Sequence, residues 1–229
     1  MAKNPAVACL AGALLWAVLI PVGCAQSQGP PQAAPGTKAA DGWTVVYTGD
    51  FRRAGKLPAE WQVPSGEARI EAGALVLTGP ADAEGQVVLL EPRMPGSVRI
   101  ECVASLKGDP ISDISPFLSA DTSGYGSGYL FQFGGKGNTV NDLCRYDEHL
   151  SATEKDTPLV KPGQKHRILA ENDGGCLRLV IDGREVFRYT DAEPLKGPSH
   201  DRIGFYTWGC TLTIEQLTVY AKPVEGAAK

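Results

Sequence analysis

The chain has no Cys-x-x-Cys pair, only three histidines, no run of basic residues and, after residue 40, no 3.6-residue apolar period sustained over three turns. Each absence closes a class. Without paired cysteines a zinc ribbon is out. Without a basic cluster no nucleic-acid partner is expected. Without helical periodicity the architecture must come from strands. Nucleotide-binding and hydrolase loops are missing too. Lys136 follows Gly135, but Gly137 comes next and Leu130 stands where the first glycine of a phosphate loop belongs. Gly124, Gly126 and Gly128 have the wrong spacing for G-x-G-x-x-G, and no G-x-S-x-G surrounds Ser127.

What is present begins with a targeting signal. Lys3 is the only charged side chain before position 24, and residues 6–20 form the apolar run AVACLAGALLWAVLI, followed by PVGC. This layout is that of a secretory signal over residues 1–23. Gly23-Cys24 resembles a bacterial lipobox, whose cysteine is lipidated, although Pro21 stands where that pattern prefers Leu, Val or Ile. The alternative is a plain signal peptide cut near Ala25. Pro21 also cuts the apolar run short of the ~20 residues a membrane-spanning helix needs. Residues 24–41 are rich in Gln, Pro, Ala and Gly and read as a disordered tether. Residues 42–223 suit one domain, and 224–229 read as a flexible tail. The expected location is the bacterial cell envelope through a lipid anchor at Cys24, or the periplasm or exterior without one. Without Lys3, 21 of the 22 basic residues remain against 26 acidic ones, a net charge of −5.

The remainder alternates with period two. In SVRIECVASL, Val98, Ile100, Cys102, Ala104 and Leu106 share one face, with Arg99, Glu101 and Ser105 on the other. CLRLVIDGREVFRYT reads as a hairpin around Asp182-Gly183, and EARIEAGALVLTG as another around Ala72-Gly73. In CTLTIEQLTVY the phase of Leu212 and Ile214 is off by one from that of Leu217 and Val219, so a bulge is expected near Glu215-Gln216. Residues 128–133 form a strand with Tyr129, Phe131 and Phe133 on one side and Leu130 and Gln132 on the other. A glycine-rich turn leads to a strand over 139–146, on which Asn141, Arg145 and Asp147 alternate. The expected fold is all-β, a two-sheet antiparallel β-sandwich. Export permits disulfides, and Cys102, Cys144, Cys176 and Cys210 are either buried thiols or partly bridged.

Asp50-Phe51, the segment LPAEWQVPSGEARIEAGALVLTG, the hairpin LRLVIDGREVFRYTD and the closing pair IGFYTWGCTLTIEQLTVY resemble concanavalin A-like jelly-roll domains. Within them, the pattern is similar to the group related to 3-keto-disaccharide hydrolases. Glu215-Gln216 stands where that group often has Asp-Asn. The resemblance implies a carbohydrate ligand, and either hydrolysis of a glycosidic bond or a non-catalytic binding or adhesion role. Retaining glucanases on jelly rolls carry a compact Glu-x-Asp-x-x-Glu-like run, which is absent: strand 98–106 holds only Glu101, and strand 128–133 holds no acid. Glu101 is then the candidate general acid or base. Arg99, Gln132, Asn141, Arg145 and Asp147 are candidate substrate-binding residues if their strands share a concave face, and Trp208 is a candidate rim aromatic. The alternative for Arg99, Glu101 and Arg145 is plain cross-strand pairing. Trp61 is expected in the core. No cofactor and no metal centre is expected, since His149 and His200 fall in polar loops and His166 begins a strand. A structural calcium is left open by the resemblance, though no Asp-x-Asp-x-Asp loop is present.

Overall fold

The computed structural model describes residues 33–39, 41–79, 85–146, 148–153 and 157–223. Its strands are β1 (Thr44–Thr48), β2 (Trp61–Ser65), β3 (Glu67–Glu71), β4 (Ala74–Thr78), β5 (Gln86–Leu90), β6 (Val98–Lys107), β7 (Ser115–Ala120) and β8 (Tyr129–Gly134). They continue as β9 (Val140–Arg145), β10 (Glu148–Ala152), β11 (His166–Asp173), β12 (Cys176–Ile181), β13 (Arg184–Thr190), β14 (Arg202–Thr207) and β15 (Thr211–Ala221). They make two antiparallel sheets. The first runs β13-β12-β11-β6-β15-β4-β3, with β1 also on β15; the second runs β10-β9-β8-β7-β14-β5-β2.

Alternation decides which side of each strand is buried. On β6 the apolar set Val98, Ile100, Cys102, Ala104 and Leu106 enters the space between the sheets. Across it, Tyr129, Phe131 and Phe133 of β8 project from the second sheet. Burying each large apolar side chain contributes about 1.5–3 kcal/mol. Phe131 also stacks on Phe187 at 6.1 Å. The β15 bulge falls at Glu215: pairing with β6 slips between Ile214 and Gln216, which lets Leu212, Ile214, Leu217 and Val219 all reach the core. Below the bulge β15 pairs with β4, and above it with β1. Both expected hairpins close through left-handed pairs, Ala72-Gly73 (φ 51° and 81°) and Asp182-Gly183 (φ 52° and 83°). Trp61 is buried, and its indole N–H donates to the Tyr47 hydroxyl at 2.9 Å.

The expected domain start needs correction. Ala33–Ala39 is not a free tether but folds back on β1. Gly36 N–H donates to Val45 O at 2.7 Å, Val45 N–H to Thr37 O at 2.9 Å, and Asp41 reaches Arg99. These bonds are made mainly by backbone groups, which any composition supplies. The signal segment and Cys24 lie outside the described residues.

At the ends of the sheets, β13 carries Arg184, Glu185 and Arg188, while β2 contains Pro64 and slips register between Gln62 and Ser65.

Candidate functional site

The strands divide the predicted site residues between places that do not meet. Arg99 and Glu101 project from β6 on the outer side of the first sheet. Arg99 Nε donates to Glu171 Oε2, its Nη2 lies 3.1 Å from Asp41 Oδ2, and its guanidinium sits 4.4 Å over Trp43. Arg178 holds the other side of Glu171, with Nε 3.2 Å from Oε1. Glu171 is nearly enclosed, so these cations offset its desolvation. Glu101 lies 3.8 Å from Arg99, accepts the Tyr220 hydroxyl at 3.4 Å and remains 41% exposed.

Gln132, Asn141 and Arg145 belong to the second sheet, so they cannot share a face with Glu101. Nor do they share one face with each other. Asn141 stands opposite Phe133 and Arg145 opposite Tyr129, both toward the core, whereas Gln132 stands opposite Asp142 on the outer side. The expectation of one converging site is therefore corrected. β9 carries polar groups on both faces, and only its register with β8 settles which face is inward. Asn141 is engaged at both ends: its Oδ1 accepts Gly134 N–H at 3.1 Å and its Nδ2 donates to Pro158 O at 2.9 Å. Asp147 lies outside the described residues. Trp208 is 47% exposed in the turn between β14 and β15.

The outer side of the second sheet holds an apolar cluster, Val87, Leu89, Phe117, Ala120, Leu130, Cys144 and Tyr206, with Tyr125 packed on Tyr206 at 4.3 Å. Beside it lies a polar group. Asp113 is buried and accepts the hydroxyls of Ser112 (2.7 Å) and Ser115. Burial pushes its carboxyl above the usual range, against the pull of Ser115, Ser112 and Gln132. On β9 and β10, Asp142, Cys144 and His149 offer ligand atoms that all lie within 4.8 Å of one another. His149, expected in a polar loop, sits on β10 directly opposite Cys144. None of the four described cysteines is in a disulfide, and burial pushes the Cys102 thiol up to about 12.

A cleft of about 690 Å³ opens at one end of the sandwich, where β6 and β12 begin and β11 and β15 finish. Its polar lining comes from Ser97, Asn172, Asp173, Lys196 and Lys222. Lys222 Nζ lies 2.7 Å from Asp173 Oδ2, and both side chains are partly exposed. Asn172 fixes two walls: its Nδ2 donates to Ser119 Oγ at 2.9 Å and Leu195 O at 3.4 Å, while its Oδ1 accepts Gly175 N–H at 2.9 Å. Behind that wall Tyr129 donates to Asp191 and accepts Leu195 N–H at 2.9 Å, and Arg145 Nη1 lies 2.9 Å from Asp191 Oδ2. Arg145 thus braces the cleft from behind. Trp208 lies at the far end of β15, whose 11 residues span roughly 30 Å. The sequence reading missed Asn172, Asp173 and Lys222. Their one signal was Asn172-Asp173-Gly174-Gly175, which reads as an ordinary turn.

No family model and no curated protein matches the chain. Solved structures do. The carbohydrate binding module CBM66 from Bacillus subtilis superposes with a TM-score of 0.59 at 12% identity, over 71% of this chain and 96% of that one. The Bacillus licheniformis beta-glucanase gives 0.57 at 11% identity, over 77% and 98%. The Emp47p carbohydrate recognition domain gives 0.57 at 14% identity, over 84% and 100%. At these identities the likeness is one of fold: the chain shares the two-sheet antiparallel jelly-roll sandwich of these structures.

Proposed function

We propose that this protein is an exported carbohydrate-binding domain, tethered through a lipid at Cys24, that holds a sugar in the end cleft. The observation that carries this reading is the cleft itself. Its volume of about 690 Å³ falls within the ~300–1,000 Å³ usual for small-ligand sites. The Asp173–Lys222 pair and neighbouring backbone groups offer acceptors and donors side by side, as vicinal hydroxyls require. The comparable structures named for carbohydrate binding add weight to a sugar as the ligand. Binding is favoured over hydrolysis because Asp113 and Asp142 are both enclosed. Glu171 is likewise committed, to Arg99 and Arg178.

A glycan array followed by calorimetric titration tests this. Asp173→Ala and Lys222→Ala should each weaken binding by about 1–3 kcal/mol, while Glu101→Gln leaves it unchanged. Equal affinity in the wild type and both cleft variants would reject the cleft. A hydrolase acting on glycosidic bonds, including keto-disaccharides, is the second reading, favoured by one observation: Glu101 is a half-exposed acid held by Tyr220 and Arg99. Its signature would be reducing-sugar release from oxidised or unoxidised disaccharides that Glu101→Gln abolishes.

A further inference from the structure

We infer that Asp142, Cys144 and His149 form a binding site for a thiophilic divalent cation of the zinc type. Asp142 and Cys144 are two residues apart on β9, so their side chains leave the same face, and His149 of β10 stands opposite Cys144. His149 Nδ1 is 3.4 Å from Cys144 Sγ and 2.6 Å from Asp142 Oδ2. Tetrahedral zinc, with bonds of about 2.0–2.3 Å, holds its ligand atoms roughly 3.3–3.7 Å apart, so small side-chain rotations seat the ion.

A second observation points the same way. Asp142 is wholly buried, and neither carboxylate oxygen accepts a hydrogen bond. The His149 ring nitrogen approaches without the alignment a hydrogen bond needs, and Lys136 Nζ stands off at 3.8 Å from an extended, half-exposed side chain. A buried carboxylate that accepts no aligned hydrogen bond is costly, and a bound cation removes that cost. The donor set of one sulfur, one nitrogen and one oxygen suits zinc, whereas calcium takes six to eight oxygens. Binding releases the Cys144 thiol proton to solvent, so thiolate and carboxylate together neutralise a divalent ion. Three protein ligands leave a fourth position for water or a ligand group, on the side of half-exposed His149. The site lies on the second sheet and is independent of the end cleft.

The test uses the full chain, reduced and stripped with chelator, titrated with Zn²⁺ alone and with Co²⁺ alone. One ion per chain is expected, with near-ultraviolet thiolate-to-cobalt charge-transfer absorption and a thermal midpoint raised by Zn²⁺. Groups that merely orient a metal ligand are worth about 10- to 100-fold in affinity. Loss of a ligand in His149→Ala should therefore cost at least about tenfold. Cys144→Ser should abolish the absorption, and Cys176→Ser should retain both. His149 is half exposed on an edge strand, so its variant should keep the wild-type circular dichroism and decides the matter even if Cys144→Ser misfolds. Absent binding by folded wild type, undiminished affinity in His149→Ala, or loss of the absorption in Cys176→Ser would overturn the site.

Discussion

Burial raises the Asp113 carboxyl above the ordinary aspartate value of 3.8. A carboxyl raised on folding binds its proton more tightly in the native than in the unfolded state. Its stabilising contribution is therefore complete below pH 3.8 and is lost as pH rises through the raised value. Asp113→Asn removes the ionisation, and its amide can still hydrogen bond because the Ser112 and Ser115 hydroxyls can rotate. The urea midpoint of the variant should gain on the wild type as pH rises from about 4 toward 7. A gap that does not vary with pH would contradict this. Other single residues were misjudged for a related reason. Arg145 and Asn141 were legible as polar groups on a strand, but polarity does not reveal whether a group faces solvent or a buried partner. Asp191, 46 residues from Arg145 in the chain, is the partner that holds that guanidinium once the register has turned it inward. No local pattern encodes such a pairing.

At the scale of the element, period two carried much of the fold. The β6 alternation, both left-handed hairpins and the β15 bulge appear where the apolar phase and the glycines require them. Strands β5 and β7 were harder, because Gln86–Leu90 and Ser115–Ala120 are buried on both faces and so show no alternation. Gly204 explains part of that density. A Cβ there would lie 2.0 Å from Val88 O and 2.4 Å from Phe117 Cζ, and the carbonyl is fixed by the neighbouring strand. Gly204→Ala should lose about 2–3 kcal/mol, or roughly 5–10 °C in thermal midpoint for a domain of this size. Gly126→Ala, whose added Cβ would meet nothing within 4 Å, should stay within about 0.5 kcal/mol of wild type. Comparable midpoints for the two variants would rule out the close approach.

At the scale of the whole molecule, the sandwich separates the groups that strand alternation had placed together: Arg99 and Glu101 outside one sheet, Gln132 outside the other, and the cleft at the end between them. Which strands neighbour which depends on long crossovers, and so does the assembly of any site. The proposed lipid attachment should leave the fold unchanged. Labelling with a radioactive fatty acid should mark the wild type and not Cys24→Ala, while thermal midpoints agree; label in both or in neither would dismiss the anchor.

The strands that finish each sheet have a consequence for behaviour in crowds. An open strand edge offers amide and carbonyl groups to any second chain, and copies concentrated on a surface would add to one another strand by strand. On β2, Pro64 lacks the donor and the slip between Gln62 and Ser65 spoils the register a newcomer would need. On β13, Arg184, Glu185 and Arg188 would have to surrender water to a partner carrying the same charges in the same row. Both devices disfavour strand addition at these two edges.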